Sequence, residues 1–314
     1  MILLNSKKRL ITLLIVLVCG IIIFILGLGS TGLVDETPPL FAAAARAMSE
    51  SGDWLTPKVN GIFRFDKPPL IYWLMGFFYS LPKNEIWDSF GTLSARLPSA
   101  LGSLFLMLMI GDTLFCWPQK SDRQFLTPIV ASLGFALSPL IIIWSRTAVS
   151  DALLTGTLGI SLLLFWRRMA SENNDQCISA WVFLGFAILV KGPVAFVLAL
   201  LTIASFLFCQ KNWKMLLSKI NLKKGFLITT LISVPWYLLE LLKEGKPFWD
   251  NFFGYHNFQR YTSVVNNHAE PFWFFLYIMI LASLPFTPFL CHGIPSHSRF
   301  LEKFKRKLRS PCHT

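Results

Sequence analysis

The sequence predicts an all-α polytopic membrane protein, and three observations carry that prediction. Hydrophobic residues make up 54% of the 314 residues and charged residues only 15%, against roughly 25% charge in an average soluble chain. Mean hydropathy is +0.55. Apolar runs long enough for a helix to cross a hydrocarbon core, about 20 residues, recur along the whole chain. In lipid the backbone must satisfy its own hydrogen bonds within the segment, which leaves helices for such runs. This much apolar mass excludes a disordered chain. Uncovered stripes of that length exclude an ordinary soluble globule.

Eight spans are predicted, at 10–34, 97–117, 125–145, 148–167, 178–190, 193–209, 225–242 and 272–291. The first follows the basic triplet Lys7, Lys8 and Arg9. Its apolar run outlasts the usual core of a secretory signal and no A-x-A-like site closes it, so it reads as an uncleaved helix with a cytoplasmic N-terminus. From that start most of the 29 Lys and Arg fall on the inner side, as cytoplasmic loops require. The net charge of +12 is thereby accounted for without a nucleic-acid partner. The short fifth span meets the sixth at Lys191-Gly192-Pro193, a predicted tight turn. A ninth apolar stretch, Pro68 to Leu81, is too short to span and reads as interfacial or re-entrant. The six cysteines are Cys19, Cys116, Cys177, Cys209, Cys291 and Cys312. None forms a CxxC or a zinc-like spacing, so neither a disulfide framework nor a structural metal is expected.

Two outer segments are long, 35–96 and 243–271, and long loops in compact proteins tend to be functional. The first opens Asp35-Glu36-Thr37-Pro38-Pro39, with prolines suited to the first turn of a helix. Leu40, Phe41, Ala44, Ala45 and Met48 recur at helical spacing up to a stop at Gly52. The expected element is an amphipathic helix on the outer membrane surface, its apolar stripe facing lipid. Asn60-Gly61 marks a turn. In Asp66-Lys67-Pro68-Pro69 the prolines fix the backbone just after Lys67, and Tyr72 and Trp73 are expected at the interface. Alone, Asp35-Glu36 reads first as solvated charges closing a helix, and Lys67 first as a headgroup anchor.

Together, the string DETPPLFAAAARAMSESGDWLTPKVNGIFRFDKPPLIYWLMGFFYSLP and the following SARLPSALGSL resemble the polyprenyl-phosphate-dependent glycosyltransferases of the GT-C class. The branch is family 39, which includes bacterial aminoarabinose transferases and protein mannosyltransferases. The resemblance continues through Ser145 to Leu154, through Lys191-Gly192-Pro193, and through Phe252 to Trp273, covering the chain to about residue 291. It implies a GT-C type transmembrane catalytic domain over 1–291. The remainder, 292–314, is a basic cytoplasmic tail. Family members are commonly longer, so their further C-terminal helices and domain are expected to be absent. Pro38-Pro39-Leu40-Phe41 differs from the Arg-Tyr pair that usually follows Asp-Glu in the aminoarabinose branch, which weakens transfer of the lipid A acceptor.

The resemblance implies inverting transfer of a monosaccharide from a polyprenyl-phosphate donor to lipid A, a protein or another envelope glycan. The reaction would occur at the outer face of the cytoplasmic membrane. Asp35 is the expected base. Asp151 is expected to orient the acceptor or Arg146, or to share the base role; as helix-end residues, Arg146 and Asp151 could also simply pair. Lys67, Arg260 and Arg146 are the expected donor-phosphate ligands, where fixed cations would stabilise the leaving group's charge. Glu36, Asp66, His256 and His268 support them. No cofactor is required by this chemistry. Asp35, Glu36, Asp66, His256 and His268 are oxygen and imidazole groups on one face, but no short ligand motif links them, so a divalent metal has only weak support. Two other readings compete: a truncated or split enzyme, and a lipid-binding or transport protein with no chemistry.

Overall fold

The computed structural model describes residues 2–82, 86, 88–116, 125–170, 175–210, 213–259, 271 and 273–288. Helices dominate, and each of the eight predicted apolar stretches overlaps helix among the described residues, one of them as two helices. They are α1 (Ile2–Gly20, prolonged by a π-helical turn, Ile21–Ile25), α4 (Leu93–Cys116), α5 (Leu126–Ala136) with α6 (Pro139–Ser145), α7 (Ser150–Ala170), α8 (Asp175–Lys191), α9 (Pro193–Phe208), α11 (Leu222–Glu244) and α12 (Phe274–Ala282). Among the described residues three helical segments are long and apolar enough to cross a membrane alone: Ser6–Ile25, Leu93–Cys116 and Leu222–Glu244. The α5–α6 pair makes a fourth if counted as one span, bent by 67°. Pro139 opens α6, and Ser138 before it is extended at ψ 126°, as a residue preceding proline prefers.

The first span ends at Ile25 rather than at 34. Leu26 turns extended and Gly27 takes φ +66°. Beyond it the backbone carbonyls find donors elsewhere in the molecule, so a helical ladder is not needed there.

Side-chain contacts sort into two ends of the helix assembly. At one end Asp112 of α4 takes Arg9 of α1 at 2.6 Å and Arg167 of α7 at 2.9 Å. There too, Arg168 and Trp181 reach the carbonyls of Lys219 and Ile220, joining α7 and α8 to the short helix α10 (Trp213–Lys219). The opposite end gathers the first outer segment with Asp151, Lys191 and the far end of α11. Between them α4 and α7 approach until a Cβ on Gly156 would lie 2.8 Å from the Gly102 Cα, a distance that only glycine tolerates.

The outer segment folds as α2 (Thr37–Ser51), a two-stranded hairpin β1 (Lys58–Val59) and β2 (Ile62–Phe63), and α3 (Leu70–Tyr79). The hairpin is a small departure from the all-α expectation. Asn60 and Gly61 both take positive φ, 51° and 79°, the conformation a two-residue hairpin turn demands. Gly52 ends α2 in the left-handed region and its N–H returns to the Met48 carbonyl.

Two expectations about this segment are corrected. The stripe of Phe41, Ala44, Ala45 and Met48 faces protein, not lipid: all four are buried. Tyr72, expected at the interface, is completely buried, with its ring stacked on Phe41 at 5.3 Å. The physical reason is α3, whose face Ile71, Tyr72, Met75 and Gly76 covers the stripe that hydropathy alone assigns to lipid.

Candidate functional site

Asp35 stands at the end of the irregular segment that follows the first helix, exposed, at φ +76°. Its Oδ1 accepts the Glu36 N–H at 2.8 Å. Glu36, also exposed, immediately precedes α2. The segment leading to Asp35 is irregular, yet its carbonyls are satisfied from distant helices. Arg96 of α4, buried, donates through Nη1 to the Leu28 carbonyl and Thr31 Oγ1, and through Nη2 to the Gly32 carbonyl, each at 2.7 Å. Arg146 donates to the carbonyls of Ile23 and Leu26, each at 3.0 Å. Thr92 Oγ1 donates to the Thr31 carbonyl at 2.8 Å. Two guanidinium groups therefore hold the ribbon that carries Asp35. Arg96 received no role from the sequence, although it lies within the quoted SARLPSALGSL; a lone arginine inside an apolar helix was the available signal.

Asp66 sits in a closed triangle. Arg64 Nη2 donates to its Oδ2 at 2.8 Å and the Tyr72 hydroxyl to its Oδ1 at 3.0 Å, while Arg64 Nε reaches the same hydroxyl at 3.1 Å. Burial, reinforced by the Asp66 charge, pushes the Tyr72 hydroxyl well above its ordinary pKa, so it serves Asp66 as a fixed donor. The guanidinium of Arg64 also lies 5.2 Å from the Phe41 ring centroid. Asp66 is thus occupied in bracing the irregular segment that delivers Lys67. Lys67 itself is half-buried, with Nζ 2.9 Å from the Asp66 carbonyl, and Pro68 and Pro69 after it are buried.

Asp151, in the first turn of α7, forms an ion pair with Lys191 at the end of α8. The alternative pairing of Asp151 with Arg146 is not the one adopted. Lys191 closes an apolar helix at the Lys191-Gly192-Pro193 turn, and no spacing in the sequence names a partner for its cation. Gly192 follows at φ +82°, and a Cβ on it would lie 3.2 Å from the Phe252 ring. The turn lets α9 start immediately and brings its first residues against the π-helical segment Trp249–Gln259. Pro193, Val194 and Val197 of α9 and Trp249, Phe253 and Phe258 of that segment wall an apolar groove of about 670 Å³. The same region joins the outer segment: Phe65, Leu189, Trp236, Phe248 and Phe252 form one buried cluster, with Leu70 and Trp73 packed on it. Lys67 lies between Phe65 and Leu70 in sequence, and Lys191 follows Leu189 by two residues. One largely aromatic cluster therefore draws the Lys67 segment and the Lys191 turn to the same end of the molecule.

His256 is half-buried in the π-helical segment, its ring 4.9 Å from that of Tyr255. Arg260 and His268 lie outside the described residues. Among the described residues no group of three or more His, Cys, Asp or Glu side chains converges as metal ligands would.

A further polar network closes this end. Lys243 Nζ lies 3.1 Å from Asp53 Oδ2 and 3.1 Å from Thr56 Oγ1, and Lys58 Nζ also lies 3.1 Å from Asp53 Oδ2. Thr56 Oγ1 donates to buried Glu240 at 3.1 Å. Desolvation raises the Asp53 carboxyl, but hydrogen bonds from Lys243 and Lys58 and from the Leu55 and Thr56 amides outweigh it and hold the group well below the usual carboxylate range. The latch was not legible in the sequence, because its partners come from segments far apart in the chain.

Comparison with known proteins gives three findings. Residues 66–238 match the family described as dolichyl-phosphate-mannose-protein mannosyltransferase. The undecaprenyl phosphate-alpha-4-amino-4-deoxy-L-arabinose arabinosyl transferase of Pseudomonas aeruginosa (strain UCBPP-PA14) is 26% identical over 260 residues, 82% of this chain and 45% of the relative. An uncharacterized protein of Aquifex aeolicus (strain VF5) is 30% identical over 243 residues, 77% of this chain and 52% of its own. The chain spans about half the length of the curated relatives it matches. The fold resembles crystal structures of ArnT from Cupriavidus metallidurans. For the one bound to undecaprenyl phosphate the TM-score is 0.77 at 23% identity, covering 90% of this chain and 50% of that one. For the apo state the TM-score is 0.73 at 22% identity, covering 88% and 48%.

Proposed function

The chain belongs to the dolichyl-phosphate-mannose-protein mannosyltransferase family, and from that membership we propose that it transfers a monosaccharide from a polyprenyl-phosphate donor to an envelope acceptor. The reaction takes place at the outer face of the cytoplasmic membrane, with eight spans holding the site there. Relatives named as undecaprenyl phosphate-aminoarabinose transferases support the donor class, as does a similarly folded protein crystallised with undecaprenyl phosphate.

The observation that carries the reading is the apolar groove opening beside the Lys191-Gly192-Pro193 turn, where Lys191 and Asp151 stand. The groove itself is lined by apolar side chains and Asn257, with Lys191 two residues before its first wall residue, Pro193; an apolar trough with a cation close by in the chain fits a prenyl chain with a phosphate at its head. Lys67 and Lys191 supply point charges to that phosphate, and Arg260 a bidentate fork. Asp35 takes the proton from the acceptor hydroxyl. The acceptor oxygen bonds to the anomeric carbon while that carbon's bond to the phosphate oxygen breaks. The electron pair leaves on the lipid phosphate, whose growing charge the cations stabilise. Displacement in one step inverts the anomeric centre. Asp151 orients Lys191 toward the phosphate, and Arg146 and Arg96 hold Asp35 in place.

The test is donor turnover by the 314-residue chain in lipid, using radiolabelled undecaprenyl-phosphate sugars and a membrane extract. Label should pass to an extract component and stay on the donor with Asp35→Asn. Equal transfer by wild type and Asp35→Asn would overturn the assignment of the base, and no transfer from any donor would overturn the activity.

A further inference from the structure

A second cavity, chemically unlike the apolar groove, opens at the same end of the molecule. It holds about 660 Å³ between α2, the hairpin turn and the start of α4, within the size range of small-ligand sites. Leu33 and Pro39 both line it, so it borders the short segment that carries Asp35. Its polar lining comes from Arg46, Glu50, Asn60, Tyr79 and Thr92. We propose that this cleft is the acceptor site and that it takes a saccharide unit, which makes the acceptor a glycan; this rests on the transferase reading above.

The chemistry of the walls selects the ligand. Arg46 and Glu50 stand one helical turn apart on α2 and are both exposed, one a pure donor and the other a pure acceptor. Asn60 offers both functions, and the buried Thr92 hydroxyl keeps lone pairs free after donating to Thr31. Alternating donors and acceptors suit hydroxyl groups, each of which donates and accepts. The Arg46 guanidinium lies 5.1 Å from the Tyr79 ring centroid, which holds its fork in one place and sets an aromatic surface beside it. The charges of Arg46 and Glu50 cancel, so the cleft is not a trap for a bare phosphate. A peptide taken up by strand addition needs an open sheet edge, and the hairpin contributes only its Asn60-Gly61 turn to the lining. On the α2 face itself, Ala43 and Ala47 stand at helical spacing beside Arg46 and Glu50, with Ala42 next to them, so the floor between the two charged side chains is low and admits a ring. Lipid and acceptor thus enter separate chambers.

Binding is read first without turnover. The full chain in lipid nanodiscs is mixed with methyl β-glucoside, and saturation-transfer NMR reports contact. The glucoside should take up saturation from wild type and from Ala43→Ser. It should lose it with Ala43→Trp, which fills the cleft from an exposed position. A Ser/Thr-containing hexapeptide should neither bind there nor displace the sugar. In the transfer assay Arg46→Ala should raise the acceptor KM about tenfold, the scale of one lost charged hydrogen bond, with the donor KM unaltered. No saturation from wild type, equal saturation with Ala43→Trp, or displacement by the peptide each overturns the proposal. Sugar binding without turnover of any donor would count against the transferase reading, and turnover without sugar binding against this cleft alone.

Discussion

Replacing Arg96 by leucine should loosen the segment that carries Asp35. Three contacts of 2.7 Å end on Arg96: the Leu28 carbonyl, Thr31 Oγ1 and the Gly32 carbonyl. The Leu28 contact is buried and the other two are partly buried, so water replaces them only in part. A buried acceptor left unsatisfied costs about 1–3 kcal/mol, and breaking a buried charged network costs roughly 3–5 kcal/mol; the loss here should be about 4 kcal/mol. Arg96→Lys retains the charge with a single ammonium and should lose roughly half of that. Thermal unfolding in one detergent, with limited proteolysis of residues 26–36, measures both. If Asp35 moves by about 1 Å, transfer should fall about a hundredfold, and more in kcat than in donor KM. An Arg96→Leu protein with wild-type unfolding and an uncut 26–36 segment would refute the clamp. A destabilised protein with intact kcat would refute its link to Asp35.

Other consequences follow from the same geometry. Asp35→Asn should leave unfolding unchanged, because asparagine accepts positive φ as readily, while lowering transfer by about 10²–10⁴ as expected for loss of a general base; a thermal melt beside the turnover assay separates the two effects. Lys191→Met should raise the donor KM and slow transfer while the helices remain intact by circular dichroism, and unchanged kinetics would remove Lys191 from the site. Gly156→Ala should destabilise the chain by about 3 kcal/mol or more, since overpacking here meets backbone that cannot rotate away; a melt matching wild type would contradict the close approach of α4 and α7. The Asp53 latch contributes stability above the unfolded carboxylate value, near 3.9, and loses it as pH falls toward the depressed folded value. The protection of the amides over residues 52–60, taken relative to their intrinsic exchange rates, should therefore fall between about pH 4 and pH 2, and Asp53→Asn should flatten that dependence.

Local order in the first outer segment was readable because its signals are short-range. Pro38, Pro39 and Gly52 bound α2, and Asn60-Gly61 set the hairpin turn within two residues. Asp35 and Lys67 were legible as a pair only through the whole motif, since each alone has an ordinary surface explanation. What could not be read were partners. Arg96 answers Leu28, Lys191 answers Asp151 and Glu240 answers Thr56, and nothing in the spacing of one residue type names the other. Hydropathy also misjudged the direction of the α2 stripe. An apolar face looks the same whether lipid or Tyr72 and Met75 cover it.

The sequence by itself determined that this chain is a helical membrane protein, where its apolar helices lie, and the family whose chemistry its motifs resemble. Periodicity, proline and glycine placement and charge bias act within a few residues or over the whole composition, so they survive without coordinates. Only the tertiary structure decided which partners the charged side chains take. Long-range packing put Arg146 on the Ile23 and Leu26 carbonyls, where the chain leaves the first helix toward Asp35, gave Asp66 to Arg64 and Tyr72, and joined Asp151 to Lys191 beside an apolar groove. Those assignments follow from which helix ends meet, a property of how the helices pack together rather than of any stretch of the chain.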